Sequence, residues 1–208
     1  MKDAMGWKDR VFDYDYSRGL YYHEITRGLF CGSQPRHAGD IQELKEDLQL
    51  TAILSLQQDK DMQYWGVNPD QIRRRCSELG IQHLRRPVKD FDPHSLRKVL
   101  PSAAQALHQA LANGGRVYVH CTAGLGRAPG LLIAYLHWFH PGLSLPQAYQ
   151  LVTSIRPCGP KREAVRGATF DLLSGQPMEA FARVPEDAYT QLQAEDQHAL
   201  QWRILRQR

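Results

Sequence analysis

The stretch from Val117 to Arg127, VYVHCTAGLGR, decides how the rest of the chain is read. Val117, Tyr118 and Val119 read as a short buried strand. They deliver Cys121 into a glycine-containing loop, and an apolar run from Gly126 or Arg127 to Phe139 continues as a buried helix. A tight loop that ends at a helix N-terminus turns backbone N–H groups toward one point, a nest for a tetrahedral oxyanion. Gly124 and Gly126 let the backbone curl that closely. The pattern is Cys, five residues, Arg, and Arg127 adds a bidentate fork for phosphate oxygens. The same positive field favours the thiolate of Cys121. A thiolate at the centre of an anion cradle is a nucleophile for a phosphoester. The expected phosphate-binding set is Thr122, Ala123, Gly124, Leu125, Gly126 and Arg127.

Outward from this loop, short apolar runs alternate with helical patterns. Leu29 to Cys31, Thr51 to Leu56 and Ile81 to Leu84 read as strands, and Ile41 to Leu50, Pro69 to Leu79 and Leu96 to Leu111 as helices. Asn113-Gly114-Gly115 is a left-handed stop. Ser144, with Gln147 three residues on, opens another helix through a capping box. Alternating β and α elements predict an α/β fold, a central mostly parallel twisted sheet with helices on both faces. The tail from Pro185 is helical in character, with Tyr189, Leu192, Leu200 and Trp202 available to dock.

The chain has 208 residues, 42% hydrophobic and 23% charged, and a formal net charge of +4. At roughly 150 residues per domain that is one domain with an appendage, or one large domain. The mild positive balance suits an anionic partner but does not argue for nucleic acid. No apolar stretch approaches the ~20 residues of a membrane span. The N-terminus has no apolar core and carries Asp3, Asp9, Asp13 and Asp15, unlike a transit peptide. Without a CxxC pair, Cys31, Cys76 and Cys158 read as buried structural thiols, and neither a metal nor another cofactor is expected.

Thiolate attack needs a general acid for the departing alkoxide. Lys89-Asp90-Phe91-Asp92-Pro93 follows a strand and precedes a helix, and such loops gather at the carboxyl ends of parallel strands. Asp90 and Asp92 are both candidates. Asp92 precedes a proline and reads as an N-cap, which favours Asp90 as the acid. His120 reads as a support for the loop. Tyr64-Trp65-Gly66 lies among charged and polar residues, odd for a core strand. Phe12, Tyr14 and Tyr16 alternate with Asp13 and Asp15 and, taken alone, read as a packed edge segment.

HCTAGLGRAPG resembles the signature of the dual-specificity phosphatases, and most the glucan phosphatase branch, whose loop reads Cys-x-Ala-Gly-x-Gly-Arg. The resemblance continues through GSQP (Gly32 to Pro35), LQQDKDMQYWGV (Leu56 to Val67), RRPVKDFD (Arg85 to Asp92), RPCGP (Arg156 to Pro160) and RGATFDLL (Arg166 to Leu173). It implies a cysteine-phosphatase fold: an N-terminal aromatic segment over residues 1–20, a phosphatase domain over 21–174 and a docked helical segment over 175–208. It implies Cys121 as nucleophile, Arg127 as phosphate clamp and Asp90 as general acid. It also implies a glucan channel lined by Tyr64, Trp65 and Phe91, with Arg86 nearby and Phe12 and Tyr14 contributing. Ala128 stands where many cysteine phosphatases have Ser or Thr, as in the glucan branch.

The expected partner is phosphorylated α-glucan such as starch or amylopectin, with C3 phosphate preferred, and no nucleic acid or membrane. The expected state is a monomer. The resemblance implies a chloroplast; the chain shows no targeting segment and would be cytoplasmic if none precedes it. The rival readings are a phosphoprotein or phosphoinositide phosphatase and a non-catalytic glucan-binding scaffold.

Overall fold

The alternation of side chains along three short strands sets the architecture. In the computed structural model, which describes residues 14 and 16–206, the strands are β1 (Tyr22–Thr26), β2 (Leu29–Gly32), β3 (Ala52–Ser55), β4 (Gln82–Arg85) and β5 (Val117–His120). They form one sheet in the order β1-β2-β5-β3-β4. β2, β5, β3 and β4 run parallel, and β1 pairs antiparallel with β2 at one edge. Leu29, Cys31, Ala52, Leu54, Val117 and Val119 face one apolar layer, and Phe30, Ile53 and Tyr118 the other. Strands buried on both faces need helices on both.

The first layer is closed by α4 (Pro93–Leu111), α5 (Arg127–Phe139), α6 (Leu145–Ile155), α7 (Arg162–Ser174) and α8 (Ala194–Leu205). The second is closed by α1 (Ala38–Leu48), the short α2 (Asp59–Tyr64) and α3 (Pro69–Glu78), through Ile41, Leu44, Met62, Ile72 and Cys76. The fold class expected from the sequence is the one observed.

Register places the site. Gly32 and Ser55 both pair with His120 in the central strand. Three parallel strands therefore end level, and Ser33-Gln34, Leu56-Gln57 and Cys121-Thr122 emerge side by side at their carboxyl ends. Gly32 is required here, because a Cβ would lie 2.0 Å from the Tyr118 hydroxyl.

Several local expectations hold. Asp92 caps α4 by accepting from Ser95 N at 2.9 Å. Ser144 and Gln147 cap each other at the start of α6. Asn113 takes the left-handed conformation beyond α4 at φ +57.

Others are corrected. α4 starts at Pro93 rather than Leu96, and α1 ends at Leu48, where Gln49 turns left-handed. In the tail only Ala194–Leu205 is α-helical. Leu200 is fully buried and Leu192 packs at its edge, whereas Trp202 stands 52% exposed with the Arg206 guanidinium 4.4 Å from its ring. A helix of 12 residues presents one stripe to the core, and positions 200 and 204 occupy it. Among the described residues no helix is long and apolar enough to cross a membrane.

Candidate active site

The loop after β5 is held by its carbonyls. The Cys121 carbonyl faces His120 Nδ1 at 3.0 Å, and that of Thr122 accepts from Gln34 N at 2.9 Å. The Ala123 and Gly124 carbonyls accept from Arg156 Nη2 and Nε at 2.8 and 2.6 Å. The Leu125 carbonyl accepts from Gly159 N at 3.0 Å. Five consecutive carbonyls thus point into the protein. The amides of Thr122 to Arg127 donate to no acceptor among the described residues. A curled backbone with carbonyls outward and N–H groups unclaimed is a cradle for an anion. Gly124 makes the curl at φ +67, where a Cβ would lie 2.3 Å from the Gly32 carbonyl oxygen.

Cys121 lies at the entrance to this loop, 4% exposed. Arg127, at the start of α5, is equally buried and heavily anchored. Its Nη1 donates to Asp61 Oδ2 at 2.5 Å and to the Val88 carbonyl at 3.0 Å. Its Nη2 lies 3.1 Å from both Thr122 Oγ1 and Asp90 Oδ2. Nε has no partner among the described residues. Burial works against the charge, but Cys121, Asp61 and Asp90 outweigh it and hold the guanidinium's pKa above its ordinary value. Asp90 and Arg127 are therefore joined, while Asp92 is occupied as a cap.

Polar side chains form a floor under the loop. Gln57 Nε2 donates to Gln34 Oε1 at 2.6 Å and to Thr122 Oγ1 at 3.2 Å. Gln34 Nε2 reaches the Tyr14 hydroxyl at 3.2 Å. Burial drives the pKa of His120 down to about 3, so its ring is neutral and braces the Cys121 carbonyl from below.

The aromatic residues divide. Trp65 is the hub of a cluster: Tyr16 stacks on it at 5.6 Å and 7°, and Tyr14 and Tyr64 meet it edge-on at 4.9 and 5.2 Å. One face of Trp65 is thus covered. Tyr64 is 80% exposed and Phe91, beside Asp90, is 96% exposed at φ +56. Arg86 donates to the Arg85 carbonyl and shares no ring contact with the cluster. Phe12 lies outside the described residues.

Reading the sequence missed Arg156, Asp61, Gln34 and Gln57. The glutamines follow strand ends, where open parallel sheets place sites, and that signal was available. Arg156 opens the RPCGP stretch of the resemblance, but nothing in that stretch shows that its fully buried side chain holds the Cys121 loop.

Residues 29–166 match the family described as dual specificity phosphatase, catalytic domain. The chain is 40% identical over 177 residues to phosphoglucan phosphatase DSP4, amyloplastic, of Castanea sativa, covering 84% of this chain and 46% of that one. It is 36% identical over 161 residues to phosphoglucan phosphatase LSF1, chloroplastic, of Arabidopsis thaliana, covering 77% and 27%. It is 29% identical over 159 residues to laforin of Mus musculus, covering 72% and 48%. The chain spans less than half the length of these curated relatives. Among solved structures, human DUSP28 is similar at TM-score 0.54 and 27% identity, over 71% of this chain and 91% of that one. PTPMT1 shares the fold at TM-score 0.60 and 21% identity, over 73% and 98%. The matched span runs from β2 into α7 and contains the cysteine, the cradle and the arginine, and so the chain belongs to the dual-specificity phosphatases.

Proposed function

We propose that this chain hydrolyses phosphate monoesters on starch-like α-glucan, through a phosphocysteine on Cys121. The observation that carries the reading is the cradle, with outward carbonyls and unclaimed amides around a buried cysteine and Arg127. The glucan assignment is supported by exposed aromatic rings beside it, since flat rings suit the apolar C–H faces of sugars. The names of two similar relatives, both phosphoglucan phosphatases, support it too.

The steps follow from the groups present. Cys121 Sγ attacks phosphorus in line, and the S–P bond forms as the P–O bond to the sugar breaks. The amides of Thr122 to Arg127 and the Arg127 guanidinium stabilise the equatorial oxygens. Asp90, as the carboxylic acid, gives its proton to the departing sugar oxygen. Water then attacks phosphorus and loses a proton to the Asp90 carboxylate. The S–P bond breaks, and inorganic phosphate and the thiolate are released.

Residues 21–174 would be the catalytic unit, with residues 1–20 completing its aromatic rim and 175–208 docked behind it. Tyr64, Trp65, Phe91, Tyr14, Phe12 and Arg86 would meet the glucan, C3 phosphate would be preferred, and the chain would act as a monomer in a plastid.

The test is phosphate release by wild type and Cys121→Ser from solubilised phosphoglucan, a phosphopeptide and a phosphoinositide. Wild type should act best on the glucan, and Cys121→Ser should bind glucan without turnover. Normal release by Cys121→Ser, or preference for either other substrate, would overturn the reading.

A further inference from the structure

Tyr21 belongs to neither the acid–nucleophile pair nor the ring cluster around Trp65, yet it stands between them. Its backbone is fixed to the strand end beneath the site, with Ser33 N donating to its carbonyl at 3.0 Å and its own N–H donating to Ser33 Oγ at 3.2 Å. The next residue, Gln34, holds the Thr122 carbonyl. The Tyr21 ring lies 5.1 Å from the guanidinium carbon of Arg156, whose Nε and Nη2 hold the loop at Gly124 and Ala123. The Arg18 guanidinium is 4.9 Å from the same ring, and the Tyr14 ring 6.4 Å away.

The hydroxyl is the part free to meet a ligand. Tyr21 is half-buried, and its hydroxyl is open to solvent and makes no hydrogen bond with any described residue. Burial raises its pKa to about 12, against the pull of Arg156, and the Cys121 charge acts on it in the same direction as burial. The group is a neutral O–H at neutral pH, beside the loop and without an acceptor among the described residues. In the proposed mechanism the phosphate's own oxygens would face the amides and Arg127, so a sugar hydroxyl is the group such a donor would meet.

We propose that Tyr21 is a specificity-determining residue that hydrogen-bonds the sugar carrying the phosphate, at the junction of the loop and the aromatic rim. This rests on the glucan phosphatase reading and deepens it. The ring would fix the height of the sugar through Arg156 and Tyr14, and the hydroxyl would select a hydroxylated leaving group over a bare one.

The experiment compares wild type and Tyr21→Phe on solubilised phosphoglucan and on para-nitrophenyl phosphate, whose leaving group has no sugar hydroxyls. The readout is the ratio of kcat/KM for the two substrates. One lost hydrogen bond should lower this ratio roughly 3- to 10-fold. Tyr21→Ala, which also removes the ring, should lower it further. An unchanged ratio in Tyr21→Phe would overturn the proposal, including the case in which both substrates suffer equally through a disturbed loop. A wild type active on the aryl ester and inert on phosphoglucan would overturn the parent reading and this one with it, and would be seen before any variant is made.

Discussion

Arg127 Nη2 and Asp90 Oδ2 are 3.1 Å apart, so the proposed phosphate clamp and the candidate acid are partners. Asp90 is also the looser of the guanidinium's two carboxylates: its side chain is 40% exposed, against 12% for Asp61. A bound phosphate can displace Asp90 and leave Asp61 in place. In the proposed mechanism the carboxyl so released would be the one that protonates the leaving oxygen.

Asp90→Asn should therefore cut release from phosphoglucan by ~100-fold or more, because a sugar alkoxide leaves poorly without a proton. Release from para-nitrophenyl phosphate, whose phenolate leaves unaided, should fall far less. Steady-state rates on the two substrates check this, and an equal loss on both would remove Asp90 from the role of acid.

Asp61 acts differently. Its Oδ2 accepts from Arg127 Nη1 and from Gln58 N at 3.0 Å, joining Arg127 to the start of α2. Asp61→Asn keeps the shape and removes the charge. Breaking a buried pair costs ~3–5 kcal/mol, and the remaining contacts to Asp90 and two carbonyls should reduce that to about 2. Urea unfolding measures it, and phosphate affinity should weaken alongside because Arg127 loses its aim.

The loop offers a paired test at two glycines. At Gly124 a methyl group would meet the Gly32 carbonyl and Arg156 Nη2 at 2.3 and 2.6 Å, on a backbone at φ +67. At Gly126 a Cβ meets nothing within 4 Å. Gly124→Ala should lose at least about 2 kcal/mol of stability and its activity. Gly126→Ala should fold like wild type. Thermal melts of the two variants decide it, and equal melting temperatures would mean that the loop tolerates a different curl.

These sites also show what the sequence could disclose. The Cys121 loop was legible because strand, nucleophile, glycines and arginine fall within eleven adjacent positions. β3, α4, α5 and α6 were legible because their periods or caps are local. α2 was not: it has six residues, only Met62 buried, and a capping box built from Gln58 and Asp61. α7 carries Gly167 in its interior, where glycine is unfavourable in a helix. The glycine is there because Arg97 crosses the helix at that point, and a Cβ would sit 2.6 Å from Arg97 Nε. β1 shows one buried residue, Ile25, and no alternation. The role of Arg156 was hidden for a different reason, since its partners lie 32 and 33 positions back along the chain.

Arg156 also brings a pH dependence. Its Nη1 lies 3.1 Å from His23 Nδ1. Burial, then the charges of Arg156 and Arg18, push the pKa of His23 down to about 4, and burial pushes that of His120 down to about 3. In the unfolded chain both would titrate near 6.5. Between the folded and unfolded values the unfolded chain binds more protons, so stability rises with pH across that window. The contribution is complete above pH ~6.5 and is lost as pH falls through about 4 and then about 3. Urea unfolding at pH 7.5 and pH 5 should show the loss, and His23→Gln should show a smaller one. An identical loss in the variant would exclude His23 as a source.

Phe91 separates stability from function. Its ring is 96% exposed and its backbone sits at φ +56, a conformation that costs a bulky residue ~1–3 kcal/mol. Almost no burial offsets that strain, so folding alone would favour another residue here. Phe91→Gly should relieve most of the strain. After the extra chain entropy of glycine is subtracted, it should be neutral or up to about 1 kcal/mol more stable than wild type. Its kcat/KM on phosphoglucan should nevertheless fall several-fold, with turnover of para-nitrophenyl phosphate nearly retained, because the ring next to the acid is what the sugar would rest on. Melting temperature and the two rates, measured on one preparation, test both halves. A glycine variant that kept full glucan turnover would show the exposed ring to be incidental, and the strain beside Asp90 would then have to serve the acid alone.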